Sequence, residues 1–291
     1  MADAAQRNAF AGAALIVGGA ATIQWSAAIV TPIFGTLGAA STSAWRFLLG
    51  AVVLLALTRP NVRQWKWEQW RAALVLGLSV AGMNFCFFQC ISRIPLGSGV
   101  TIEFLGPLTV AVIGKRSARH VAFAVLAAIG VVVLGHPGGH LTTAGVLFGL
   151  GSGLGWAIYI FASAKVGGTT SGFDGLAVSM TVAAVATLPF ALGSLHILRD
   201  HPWIGGRMAL VASMSIVLGF ALEMQALRRV KPSLVGVLMA FDPAIAFLLG
   251  FVVLSQHPSL WDIVGLLCVV VAGVGVTIDQ RDADAPTPIT P

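Results

Sequence analysis

Residues 89–114, QCISRIPLGSGVTIEFLGPLTVAVIG, fall without a gap on residues 225–250, QALRRVKPSLVGVLMAFDPAIAFLLG, when the chain is slid by 136 positions. Gln89 meets Gln225, Arg93 meets Arg229, Pro107 meets Pro243 and Gly114 meets Gly250. Four identities in 26 positions carry little alone in a chain this apolar; their weight comes from the flanking order, with five apolar segments before the midpoint and five after. An odd number of crossings in each half turns the second copy upside down relative to the first. Inverted repeats of this kind give many secondary transporters two alternative openings around one central site. The expectation is an all-α membrane protein of ten transmembrane helices in two inverted five-helix repeats, residues 1–139 and 140–280. A cytoplasmic tail at 281–291, rich in Asp, Pro and Thr from Asp279 onward, is expected to be disordered.

Working outward, 57% hydrophobic and only 10% charged residues exclude an ordinary soluble surface. Apolar runs lie near 9–30, 39–58, 71–91, 97–114, 119–135, 142–164, 173–193, 207–227, 233–254 and 260–279. A hydrocarbon core of about 30 Å requires about 20 such residues per crossing. In lipid each segment must satisfy its own backbone, so these runs are helices.

The net charge of +6 follows the membrane rather than a nucleic acid. With the N-terminus in the cytoplasm, the inner side holds Arg7, Arg59, Arg63, Lys66, Arg71, Lys115, Arg116, Arg119, Lys165, Arg228, Arg229, Lys231 and Arg281. Outside lie Arg93, Arg199 and Arg207, and Arg46 falls inside a span. The positive-inside rule therefore puts both termini in the cytoplasm. Cys86, Cys90 and Cys268 fall within spans and read as small apolar side chains, not as a disulfide framework or a metal site.

Some motifs invite other chemistry and have plainer readings. Gly149, Gly151, Gly153 and Gly155 lack the strand that a nucleotide loop needs, and instead let their helix approach a neighbour closely. His136 and His140 flank Pro137-Gly138-Gly139, which reads as an external turn. Trp65, Trp67 and Trp70 beside Arg63, Lys66 and Arg71 form an interfacial belt. Nothing requires a cofactor or a metal, and no nucleophile–base pair or ATP loop points to an enzyme.

Polar groups at membrane depth are costly and tend to face a partner or a cavity. Arg46 in the second span and Glu103 in the fourth should sit at similar depth. They either hold the bundle together as a fixed pair or meet a substrate's carboxylate and ammonium. Asp242 lies near the middle of the ninth span, followed by Pro243; Pro107 holds the equivalent place in the fourth, after Gly106. Each proline removes one backbone hydrogen bond, so the two are candidate hinges. Asn84, Gln24, Trp25, Trp156 and Tyr159 complete the candidate binding set. Glu223 and Gln225 are expected near the inner surface, with Glu223 paired to Lys165 or to the Arg228–Arg229 cluster.

Several strings resemble the drug/metabolite transporter superfamily. These are Gly82-Met83-Asn84, Pro95-Leu96-Gly97, Glu103-Phe104-Leu105-Gly106-Pro107, Trp156-Ala157-Ile158-Tyr159, Leu222-Glu223-Met224, and Arg46 followed by Leu48 and Gly50. They are most similar to its threonine and homoserine exporter branch, with an aromatic amino acid exporter branch as a close relative. The resemblance implies export of amino acids or close relatives, with methionine and aromatic amino acids in the range, from the cytoplasm across a bacterial inner membrane; the inverted repeat implies alternating access. Transport would be by facilitated diffusion or proton antiport, with lipids and protons as the other partners. Asp242-Pro243 replaces the family's usual Glu-Pro, and Gln256 stands where a glutamate often follows the ninth span. Export of hydrophobic drugs or other metabolites is the alternative.

Overall fold

The computed structural model describes residues 2–114, 118–135, 141–170, 173–219, 222 and 238–283. Among these residues all the regular structure is helical. In chain order the helices are α1 (Ala2–Val30), α2 (Ala39–Thr58), α3 (Trp67–Ile91), α4 (Leu96–Glu103), α5 (Leu105–Gly114) and α6 (Ala118–Leu134). They continue with α7 (Thr143–Thr169), α8 (Asp174–Gly193), α9 (Leu195–Asp200), α10 (Pro202–Ala212), α11 (Asp242–Leu254) and α12 (Leu260–Ala283). A π-helical stretch, Ser213–Gly219, extends α10.

Seven helical segments among the described residues are long and apolar enough to cross a membrane; Ala118–Leu134 and Asp242–Leu254 are shorter apolar helices. The segment expected at 207–227 starts earlier, at Pro202, and is described continuously as far as Gly219. Expectations for Lys115 and Arg116, the 136–140 turn, Glu223, Gln225, Arg228, Arg229, Lys231 and the tail beyond 283 lie outside the described residues.

Local chemistry sets the helix ends. Thr142 caps α7 by accepting from Gly145 N at 3.1 Å. Ser259 and Asp262 form a reciprocal capping box before α12, with bonds of 2.8 and 3.2 Å. At its other end α12 runs through Asp279, where the tail was expected to begin. Asp279 is held there by Arg119 Nη1 and His120 Nδ1, each at 3.2 Å. The segment expected at 97–114 is broken at Phe104, because Pro107 has no N–H to offer the Glu103 carbonyl. A second break, at Ala240-Phe241, precedes Pro243.

The helices pair extensively: α3 with α7, α6 with α12, α2 with α8, α3 with α8, and α11 with both α4 and α1. The helix α7 also packs on α4 and α5, and α1 on α10 and the π-helical stretch. Glycines allow the closest of these approaches. A Cβ at Gly106 would run into the Gly153 carbonyl, so α5 and α7 meet backbone to backbone. A Cβ at Gly130 would lie 2.7 Å from Gly265 O, and one at Gly265 would lie 2.7 Å from Gly130 O. This α6–α12 contact is reciprocal.

The core differs between the two ends of the bundle. At the end joining α3 to α4 and α11 to α12, one cluster gathers the tips of α1, α2, α3, α4, α10 and α11. Val30, Phe88, Ile91, Leu96, Met208 and Ala246 represent those helices and their neighbours in it. Toward the opposite end the described core is divided. One part joins α2, α3, α7 and α8 around Leu54, Leu76, Val166 and Met180. The other joins Phe104, Leu108, Ala127, Ala240 and Val269.

Candidate functional site

Between these clusters lies a cavity of about 170 Å³. Seven of the side chains singled out from the sequence line it. They are Gln24 from α1, Arg46 from α2, Asn84 from α3, Glu103 at the end of α4, Trp156 and Tyr159 from α7, and Asp242 at the start of α11. Trp25 does not join them. Successive helical residues are turned by about 100°, so the neighbour of inward-facing Gln24 points outward and is 44% exposed.

Each polar group is tied to a different helix. Gln24 Nε2 donates to Asp242 Oδ2 at 3.0 Å, joining α1 to α11. The guanidinium of Arg46 donates to Asn84 Oδ1, and Asn84 Nδ2 donates to Val80 O at 3.0 Å. The Arg46 Cζ sits 4.8 Å from the Phe88 ring centroid and 5.5 Å from that of Phe47, so aromatic faces replace part of its hydration. Its buried Nε has no hydrogen-bond partner.

Glu103 is held from α7: Ser152 Oγ lies 2.5 Å from Glu103 Oε1 and 2.9 Å from Met83 O. No direct ion pair joins Arg46 to Glu103; each has its own neutral partner. Arg46 and Glu103 are therefore not consumed by a mutual bridge, and the cavity sets a guanidinium and two carboxyl groups within apolar walls. Pro107 lies four residues beyond Glu103, and Pro243 directly follows Asp242. Both acidic groups thus stand at helix breaks.

Several contributors were not singled out from the sequence. Ser152 lies inside the glycine run, where the spacing of small residues signals packing; a hydroxyl at such an interface was the available clue. Met83, Phe87, Met180 and Ile216 wall the cavity, and apolar residues in a membrane helix carry no signal that separates cavity from lipid. The π-helical stretch brings in Ser215. Gln256 lies outside the cavity. Its Oε1 accepts from Leu96 N at 3.1 Å, capping the N-terminus of α4 across the bundle.

Membrane-length helices around a small cavity lined by a guanidinium and two carboxyl groups define a polytopic transport protein. Residues 143–278 match the EamA-like transporter family. The chain is 32% identical over 266 residues to the threonine/homoserine exporter RhtA of Salmonella typhimurium strain LT2, covering 89% of each. To the RhtA of Escherichia coli strain K12 it is 32% identical over 267 residues, covering 90% of this chain and 89% of that one. This chain belongs to the EamA-like transporter family; it is a transporter, not an enzyme. One solved crystal structure, 21% identical, shares the fold with a TM-score of 0.62 over 94% of this chain and 99% of its own.

Proposed function

We propose that this protein exports small zwitterionic amino acids, threonine and homoserine first among them, from the bacterial cytoplasm across the inner membrane by alternating access. The observation that carries this reading is the cavity's charge set. Arg46, steadied by Asn84, receives the substrate carboxylate. Asp242 and Glu103 face the ammonium, and Gln24 and Tyr159 bond what remains. Trp156 forms part of the apolar wall. The names of the RhtA relatives supply the substrate class. A volume of about 170 Å³ favours a small metabolite over the hydrophobic-drug alternative, since drug-sized pockets are about 300–1,000 Å³.

The proposed architecture is ten spans in two inverted repeats, 1–139 and 140–280, with both termini inside. The packing supports it. Advancing each span by five turns the α3–α7 pair into the pairing of α1 with α10 and the π-helical stretch, and turns α1–α11 into the packing of α7 on α4 and α5. The α2–α8, α4–α11 and α6–α12 pairs map onto themselves. Reciprocal contacts mark two-fold relations, and Gly130 and Gly265 make one. With the termini inside, the continuous cluster lies at the outer face and closes the cavity on that side. Bending at Pro107 and Pro243 then exchanges the openings.

Uptake of labelled threonine, methionine and phenylalanine into proteoliposomes, with and without a pH gradient, tests this reading. Saturable threonine uptake that is lost in Asp242→Asn is the expected result, and acceleration by the gradient would assign antiport. Competition by tetraphenylphosphonium but not by amino acids would overturn it in favour of a drug exporter.

A further inference from the structure

A second concavity lies away from the central cavity, on the outer wall of the bundle. It is a groove of about 780 Å³ between the end of α2, the first half of α3 and the middle of α8. Trp70, Leu74 and Leu78 form one wall at four-residue spacing, and Val178, Val182 and Val185 form the facing wall. Eight helical residues rise about 12 Å, so the groove reaches well into one leaflet from the bundle end. Leu78 and Val185 are 50% and 64% exposed, which leaves its bed open to the surrounding apolar phase.

The mouth is charged. Arg59 ends α2 with φ 47° and ψ 59°, a left-handed conformation that a side chain other than glycine adopts under strain. Pro60 follows and disfavours continuation of the helix. Arg59 is exposed and lines the groove beside Pro60, Val62 and Trp70. Arg63, Lys66 and Arg71 follow close behind in the sequence, outside the groove's own lining. The nearby acidic residue, Glu68, is bonded to Lys165 at 2.5 Å and is engaged there.

We infer that this groove is a binding site for an anionic phospholipid, with one acyl chain between α3 and α8 and the phosphate on Arg59. The apolar bed selects a hydrocarbon chain, the cationic mouth selects an anionic head group, and Trp70 has the amphipathic ring suited to the level between them. The site is separate from the amino acid cavity and does not depend on what that cavity carries.

Native mass spectrometry of the detergent-purified full chain, titrated with phosphatidylglycerol or phosphatidylcholine, tests the assignment. The wild type should retain phosphatidylglycerol about fivefold more strongly, the preference expected from one basic residue near an anionic surface. Arg59→Gly relieves the strained backbone while deleting the guanidinium. It should erase that preference at an unchanged or higher melting temperature, and Arg59→Lys should keep it. Leu78→Trp fills the bed without touching the charge and should lower retention of both lipids. Equal retention of the two lipids by the wild type, or a preference that survives in Arg59→Gly, would overturn the site. Loss in Arg63→Gln alone would do the same, placing the head group outside the groove. The readout is the mass of the complex, so it stands whatever solute is transported.

Discussion

Arg46 is buried among Asn84, Phe47 and Phe88, and each neighbour limits what could replace it. Lysine keeps the charge but not the planar fork that grips a carboxylate through two bonds. Arg46→Lys is therefore expected to raise the half-saturating threonine concentration about tenfold, equivalent to about 1.4 kcal/mol, in proteoliposome uptake. Ser152→Ala should leave Glu103 short of a donor and cost about 1 kcal/mol, read as a lower melting temperature in detergent. Gly151→Ala would bring a Cβ only to 3.2 Å from Cys86 Sγ, a milder insult, and provides the comparison on the same helix. These polar residues were legible because a charge or amide at membrane depth is rare enough to be informative. Trp25 was misplaced because adjacency in sequence is not adjacency on a helix face. Arg46 and Glu103 line one cavity, but similar depth along two spans does not reveal that each finds a neutral partner.

At the scale of helices, prolines and glycines determine where rods break and how closely they touch. Gly106→Ala forces a Cβ into the Gly153 carbonyl, whereas a Cβ at Gly82 meets nothing within 4 Å. Overpacking of this kind costs about 1–3 kcal/mol. Gly106→Ala should therefore lower the melting temperature and Gly82→Ala should not. Pro107→Ala returns an N–H to the Glu103 carbonyl and should straighten the α4–α5 junction. Under the proposed hinge role, turnover slows while threonine binding in equilibrium dialysis is retained; unchanged turnover would assign Pro107 to packing alone. Runs of apolar residues made the helices legible, and both proline breaks were predictable from a missing donor. The π-helical stretch at Ser213–Gly219 was not. No proline marks it; it packs on α1, where a Cβ at Gly219 would lie 2.9 Å from Ile23 Cγ1.

For the whole molecule, the continuous cluster at one end and the proposed topology predict unequal access to the cavity. Under that proposal, a single cysteine replacing Met239, on the cavity wall, should react with a membrane-impermeant thiol reagent from the inner side. One replacing Ile204, in the continuous cluster, should be protected. The background is the variant lacking Cys86, Cys90 and Cys268, and reversed protection would invert the assigned state. Across the opposite end, the bond from Lys165 holds the Glu68 carboxyl below the usual carboxylate range, with Arg71 and Lys66 acting in the same direction. A lowered folded-state value means that the pair's contribution is present at neutral pH and is lost as pH falls through that value. The difference in melting temperature between wild type and Glu68→Gln should accordingly shrink on acidification.

The continuous cluster has a thermal consequence. Its tips are held by aliphatic and aromatic side chains, including Phe88, Ile91, Ile204 and Met208, with few polar ties such as Trp45 Nε1 to Ser194 Oγ at 3.0 Å and Gln256 to Leu96. Parting them wets apolar surface, a process with a large positive heat capacity whose free-energy cost falls on cooling. Under the proposed alternating access, the balance between the two openings is thus coupled to temperature through water, with no charged latch needed to set it. A van 't Hoff plot of reagent access at Ile204→Cys should curve, and the cold side should show the more open mouth.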